Sequence, residues 1–380
     1  MKHRVLIFSL AYIPHIGGAE VAVREITDRI SDIEFHVLTL NFGGEVKEEK
    51  IGNVFVHRVG SSASYLSKIL FAPRAALAAR KLHSGHAFDA FWAMMSYMLF
   101  PIVLLRFKGI RAPYLLTLQE GDPFQHTFNR WFILPFRPLL SIGFRNASAV
   151  QAISTYLATW ATQMGFKKEI AVIPNGVDLE RFTEVQHPSI VTAGIVNLIT
   201  ASRLVRKNAL DDVIRALVLL PENVQFVVYG SGPDEKKLRA LAEDLKVSSR
   251  VLFKGYSSHA ELARAFATAH IFVRPSRSEG MGNSFIEAMA AGLPVIATQE
   301  GGIADFLFDA ARNPDKPSTG WAVDKDSPEQ IAGAVKDILT NPDKVVRIRQ
   351  NALALVREKY DWNLIARDMK KLFDRVVESQ

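Results

Sequence analysis

Nearly every short apolar run in this chain is followed by a stretch with helical spacing, and the alternation persists from end to end. RVLIFSL, FHVLTL, VFVHRV, FDAFWAM, YLLTLQE, AVQAIS and IAVIPN read as strands, and so do VNLITASRL, VQFVVYG, RVLFKGY, HIFVRPS and PVIAT. Strands of this kind, alternating with helices, pair in parallel and are covered on both faces. Helical patterns run over Ala19–Ile30, Tyr65–His83, Leu99–Phe107, Phe128–Phe144, TYLATWATQM, Leu210–Leu220, Glu235–Leu245 and Ala260–Ala269. SFIEAMAA, SPEQIAGAVKDILT, Val345–Tyr360 and Asn363–Val377 complete the set. Periodicity lapses over Val177 to Val191, where Pro188 falls, and the linker is placed there. The expected class is α/β: one Rossmann-like unit over 1–185, a second over 192–360, and a last helix within 361–380.

With 380 residues the chain is long enough for two cores. It has no cysteine, so disulfides and thiolate metal sites are excluded, which suits a reducing compartment. MKHRVLIFSLAYI has the basic start and apolar run of a signal peptide, but the run is short. Gly17-Gly18 follows where a first strand should turn into a helix, so the segment reads as a strand. Tyr97 to Leu105, the longest apolar stretch, is broken by Pro101 and too short to span a bilayer. A cytoplasmic protein is expected, with room for a peripheral place on the inner face of the membrane.

The net charge is +7, and its distribution is uneven. Between Lys50 and Val150 twelve Lys/Arg face three acids, Asp89, Glu120 and Asp122, a local +9 that leaves −2 for the remainder. That third is also rich in aromatics, among them Phe100, Phe107, Phe124, Trp131, Phe132 and Phe136. Basic residues mixed with aromatics suit an anionic membrane surface, a solvated face over an ordinary core or, less well, single-stranded nucleic acid.

The stretch Arg274 to Asp305, RPSRSEGMGNSFIEAMAAGLPVIATQEGGIAD, carries the chemistry. An apolar strand leads into a loop, a helix and a second strand. Glu279 falls in the loop and Glu287 in what reads as the first turn of the helix. Open α/β sheets bind ligands at such strand ends, and a helix N-terminus there favours an anion. Ser284 and Glu287 also have the spacing of a capping box, in which Glu287 would only close its own helix. Arg203 and Lys207 follow the first strand of the second unit, where two fixed cations could neutralise a pyrophosphate. Glycine turns stand at Gly17-Gly18 and at Gly230-Ser231-Gly232-Pro233. In the latter, Asp234-Glu235 fills the place of a third glycine and argues against a dinucleotide fingerprint.

An acid, seven residues and a second acid, after RPS and before EAMAAGLPVIAT, resembles the donor-site signature of retaining glycosyltransferases of the type B fold. More closely it is similar to family 4, glycosyl transferases group 1. Gly17, Gly18 and Glu20 in GG-x-E, Ile173 to Asp178 in IPNGVD, Arg203 and Lys207, and Gly230 to Pro233 follow in that family's order, so the resemblance covers nearly the whole chain. It implies two Rossmann-like domains facing across a cleft, the last helix returning to the first domain, and a nucleotide-diphosphate sugar as donor. The acceptor would be a glycan, lipid or lipid-linked molecule on the first domain. Glu287 would bind the ribose. Glu279, with the amides of Gly280, Met281, Gly282 and Asn283, would hold the sugar. Arg203 and Lys207 would stabilise the leaving diphosphate, and Gly17 and Gly18 would face the phosphates. Gly255 and Tyr256 would lie near the base.

Two departures stand out. Asn208 replaces a family glycine, and asparagine tolerates the left-handed backbone the turn would need. Gln119 stands where many members have histidine near the sugar end of the donor. No side chain is an obvious covalent nucleophile, so displacement on one face, assisted by the leaving phosphate, is expected. Neither cofactor nor metal is expected: the single D-x-D, Asp324-Lys325-Asp326, reads as the capping of the helix that begins at Pro328. A decayed nucleotide-sugar-binding protein and a nucleotide-sugar 2-epimerase of the same fold are the rival readings.

Overall fold

A computed structural model describes residues 2–182 and 194–379. They divide into two compact units, Met1–Asn175 with Trp362–Gln380, and Gly176–Asp361. The boundary therefore falls ahead of position 185. Val177, expected in the linker, is buried, and its N–H donates to the carbonyl of Tyr360 at 2.7 Å. Phe182, also buried, packs on Phe266 of the second unit. The rest of the expected linker, 183–191, lies outside the described residues.

The first unit runs β1 (His3–Phe8), α1 (Gly18–Arg29), β2 (Ile33–Leu40), β3 (Glu48–Ile51), β4 (Val54–Val59), α2 (Tyr65–His86) and β5 (Ala90–Met94). It continues with α3 (Leu99–Phe107), β6 (Tyr114–Leu118), α4 (Phe124–Phe128), α5 (Arg137–Arg145), β7 (Ala149–Ala152), α6 (Thr155–Gln163) and β8 (Ile170–Val172). Its sheet has the order β3-β4-β2-β1-β5-β6-β7-β8. All pairs are parallel except β3 with β4. The helix expected over Phe128–Phe144 is broken into α4, a tight turn at Leu134–Phe136 and α5. Pro135 and Pro138 lack the N–H that a continuous helix needs at those positions, so each sits where a helix begins.

The second unit runs β9 (Val196–Ala201), α7 (Leu210–Leu217), β10 (Val224–Tyr229), α8 (Glu235–Asp244), β11 (Val251–Gly255) and α9 (His259–Thr268). Then come β12 (Ile271–Arg274), α10 (Asn283–Ala290), β13 (Val295–Ala297), β14 (Trp321–Ala322), α11 (Pro328–Thr340) and α12 (Pro342–Lys359). The sheet order is β11-β10-β9-β12-β13-β14, parallel throughout. In each unit the strand order reverses once beside the first strand, between β1 and β5 and between β9 and β12. Sheets of this kind bind ligands at such a reversal, beyond the carboxyl ends of the strands.

The final helix, α13 (Trp362–Glu378), lies in the core of the first unit. Its apolar stripe of Trp362, Ile365, Met369, Leu372, Phe373 and Val376 packs with Val5, Ile7, Phe35 and Val37. The Phe373 ring meets Trp92 at 5.0 Å and Phe35 at 5.7 Å, both edge to face. Phe373→Ala is expected to destabilise the protein by about 3–5 kcal/mol, the range for emptying a buried phenylalanine site. Chemical denaturation followed by tryptophan fluorescence measures it.

Candidate functional site

The strand-end loops at the switch point of the second unit are held by two arginines. β12 is apolar until its last residue, Arg274, whose side chain is buried at the strand's carboxyl end. A buried guanidinium must be paired. Arg274 Nη2 donates to Glu279 Oε2 at 2.9 Å, and Nη1 donates to Ser284 Oγ at 2.9 Å and to the carbonyl of Ala201 at 3.3 Å. The Phe285 ring lies 4.1 Å from the guanidinium carbon. Gly282 makes this possible. Its φ is +85°, and a Cβ there would come within 2.3 Å of Arg274 Nη2.

Arg277, three residues on, ties this loop to the one after β9. Its N–H donates to the carbonyl of Lys207 at 2.7 Å and its Nη1 to that of Arg206 at 2.8 Å. The fork also pairs with both oxygens of Asp211, with Asp212 and with Asp326. Asp326 therefore belongs to this cluster and does not cap α11, whose N-cap is Ser327. Asp324 pairs with Arg312 and Gln330. The D-x-D acids are thus turned to separate partners.

Glu279 Oε1 accepts the N–H of Gly280 at 3.0 Å, and the Glu279 carbonyl accepts that of Gly302 at 3.1 Å. Met281 is buried beneath the loop, and Asn283 opens α10. Glu287 is the fifth residue of α10, just past the first turn in which it was expected, and it is buried. The capping box is not formed: Gly282 is the N-cap without a side-chain bond, and Ser284 Oγ is taken by Arg274. His259 Nε2, at the start of α9, lies 3.6 Å from Glu287 Oε1. Burial pushes the Glu287 carboxyl up to about 7, with Arg274 and Arg181 pulling the other way.

Arg203 is exposed and Lys207 half-buried on the loop between β9 and α7. The two glycines of G-x-G-P hold that loop from behind. A Cβ on Gly230 would fall 1.9 Å from the Ser202 carbonyl oxygen, and one on Gly232 would fall 2.3 Å from that of Leu204. Asn208 does not take the left-handed backbone; Ala209 does, at φ +54°. Asn208 instead turns inward and its Nδ2 donates to the Arg203 carbonyl at 2.6 Å, so it braces the loop by a side-chain bond. Gly255, at φ +75°, ends β11 and accepts the Gly230 N–H at 2.7 Å; Tyr256 beside it is exposed.

In the first unit, Gly17 is the N-cap of α1 and Gly18 its first residue. The Glu20 side chain folds back over Gly17 and accepts N–H groups of Gly17 and Glu20, and burial raises its pKa. The helix amides expected to be open to phosphate are thus partly held by the chain's own carboxylate. Gln119, at the end of β6, makes a reciprocal amide pair with Asn175 of IPNGVD, 3.1 Å one way and 3.2 Å the other. Glu120 beside it is buried and accepts the N–H groups of Ser96 and Gln119.

Arg274, Arg277 and His259 were missed in the sequence. A charged residue closing the apolar run HIFVR was the available signal, since a buried arginine requires acids nearby. Arg277, in a loop, and His259, at the first position of α9, carried none.

Two family models match the chain, "Glycosyl transferases group 1" over residues 196–354 and "Glycosyltransferase Family 4" over residues 16–181. A GDP-mannose-dependent alpha-(1-6)-phosphatidylinositol monomannoside mannosyltransferase of Mycobacterium tuberculosis is 27% identical, with 96% of each chain covered. The sucrose-phosphate synthase of Thermosynechococcus elongatus superposes with a TM-score of 0.85 at 18% identity, covering 100% of both chains. Anabaena HepE in complex with UDP-glucose gives 0.78 at 21% identity over 98% of this chain and 99% of that one. Two parallel α/β units with these likenesses make up the type B glycosyltransferase fold. The chain belongs to the family 4, group 1, glycosyltransferases.

The raised pKa of Glu287 has a stability consequence of definite sign. The folded protein favours the protonated acid, so the burial penalty is absent below the ordinary carboxyl value of 4.5. It grows as pH rises and is complete above about 7, where it reaches about 3 kcal/mol. Glu287→Gln is therefore expected to melt higher than the parent at pH 8, with the gap closing towards pH 4.5. Thermal melts across that range measure it; a gap that widens towards acid pH contradicts this account.

Proposed function

We propose that the chain transfers a hexose from a nucleoside-diphosphate sugar to a glycan, lipid or lipid-linked acceptor, with retention at the anomeric carbon and without a metal. The observation that carries this is the joining, by Arg277, of the Arg203–Lys207 loop to the Glu279 loop at one switch point. Arg203 and Lys207 supply positive charge for the departing diphosphate, where a metal would otherwise serve. Glu287 accepts hydrogen bonds from the ribose hydroxyls, and Glu279 with the Met281–Asn283 backbone holds the sugar. Gly255 and Tyr256 border the base. The likeness to a GDP-mannose-dependent phosphatidylinositol monomannoside mannosyltransferase and to a protein solved with UDP-glucose supports a nucleotide-sugar donor, and the first of these supports a lipid-linked acceptor here.

The acceptor's setting is proposed to be an anionic membrane surface. Many aromatics of the basic third, Phe71, Phe91, Trp92, Phe128 and Phe144, are core residues. Trp131 is 85% exposed and Phe107 67%, and Tyr65, Leu66, Ile69, Leu134 and Phe136 are also exposed. Arg130 and Arg137 stand next to Trp131 and Phe136 in the chain, a pairing that suits peripheral adsorption. Among the described residues no helix is long and apolar enough to cross a membrane.

Lys207→Ala is expected to lower turnover by about 10²–10³-fold, about 2–4 kcal/mol of transition-state stabilisation. Transfer by the parent protein should persist in excess EDTA. Loss of activity that Mg²⁺ or Mn²⁺ restores, or an unchanged Lys207→Ala turnover, removes this mechanism. Flotation on liposomes tests the surface: recovery with anionic vesicles, not neutral ones, that falls in 1 M salt, where charges are screened within about 3 Å. Trp131→Ala should lower that recovery without changing hydrolysis of the donor in solution.

A further inference from the structure

Away from the strand ends that carry the proposed donor and acceptor chemistry, histidines gather on one face of the first sheet. Along β2, Ile33, Phe35 and Val37 point into the core shared with α13, so Glu34 and His36 point to the opposite face. His57 does the same on neighbouring β4, and the last turn of α2 brings His83 and His86 over them. His36 Nδ1 lies 2.9 Å from His57 Nε2, and its Nε2 lies 3.2 Å from Glu34 Oε1. The His86 ring is 4.9 Å from that of His36. One ligating atom from each of Glu34, His36 and His86 falls within 4.8 Å of the other two. His36 is buried, while Glu34 and His86 are half-buried, so the cluster is reached from solvent on one side.

We propose that Glu34, His36 and His86 bind one divalent transition-metal ion, Zn²⁺ in the first instance, with His57 orienting His36. Two imidazoles and one carboxylate form a borderline donor set that suits Zn²⁺, Co²⁺ or Ni²⁺ and not Mg²⁺ or Ca²⁺. Ligand atoms around tetrahedral zinc lie roughly 3.4 Å apart, given bonds of about 2.0–2.1 Å. His86, on the half-buried end of α2, closes the difference by rotating its side chain. His36 carries a single ring proton, so an ion on Nε2 selects the tautomer in which that proton sits on Nδ1 and is donated to His57 Nε2, and no proton leaves the site. His57 Nδ1 in turn lies 3.6 Å from Glu48 Oε1, and a small closing movement would complete the outer-shell relay that fixes a metal-bound imidazole. Arg4 Nε, 2.9 Å from Glu34 Oε1, anchors the carboxylate and leaves Oε2 for the metal. Water fills the open fourth position.

The site lies near the amino ends of the strands, whereas Gly17 and Gln119 follow their carboxyl ends. The ion therefore pins the end of α2 to the sheet and takes no part in transfer. This distinguishes the inference from the proposed reaction: stripping the metal should lower stability and leave turnover intact.

The experiment titrates the full chain, freed of metal, with Zn²⁺ against a chromophoric chelator, and follows the Co²⁺ form by its visible absorption. One equivalent is expected, with a higher melting temperature that EDTA reverses and the band intensity of a four-coordinate ion. His86→Ala and Glu34→Gln should each weaken binding more than tenfold, and His57→Gln by about 10–100-fold, as for loss of an outer-shell partner. His126→Ala, an exposed histidine elsewhere in the unit, should bind as the parent does. Circular dichroism checks that each variant is folded. No binding in excess Zn²⁺, or binding that His86→Ala leaves unchanged, overturns the proposal and makes the cluster a packed neutral core.

Discussion

The second unit depends on two guanidinium groups held where water cannot reach them freely. Arg274 sits under the Glu279 loop, and Arg277 stitches that loop to the β9–α7 connection. Each loop buries one large apolar residue, Leu204 or Met281, and is otherwise mainly polar. Fork-shaped donors that bond several carbonyls and carboxylates at once supply that order instead. The arrangement is sensitive to loss of one member, since removing a partner from a buried pair costs about 3–5 kcal/mol. Glu279 therefore holds its loop through Arg274, and in the proposed reading that fixes it for contact with the sugar.

The same ledger of charge bears on Glu287. Its acid is buried close to Arg274, yet burial outweighs that attraction. A ribose that donates hydroxyl hydrogens to the carboxylate would supply the missing partners and favour its ionised form. In the proposed reading, donor binding and the protonation of Glu287 are therefore coupled.

The parallel sheets, their strand-by-strand order along the chain and the glycine turns were legible in the sequence because each rests on local pattern. VFVHRV and Leu99–Phe107 coincide with β4 and α3 to the residue. Where polar or very short segments pair, pattern gives no signal: β3 is an exposed EEKI edge and β14 has two residues. Long-range side-chain partners were illegible for a related reason. S-x-x-E at Ser284 looks like a capping box, while the one that forms is at Ser258 and Glu261. What separates them is Arg274, which takes Ser284 Oγ from ten residues away. The Gln119–Asn175 pair is likewise a contact across 56 residues, and no spacing rule reaches that far.

The return of α13 to the first unit has a consequence for the order in which the protein is made. Domains generally fold as they leave the ribosome, the N-terminal one first. Here the core around Trp92 and Phe35 lacks Phe373, Met369 and Trp362 until the entire second unit has been synthesised. The first-made half is thus the last to be completed, and the part of its apolar sheet face not covered by α1 stays exposed throughout that interval. A nascent chain of this design needs shelter for that face, or a second unit that folds quickly enough to shorten the wait.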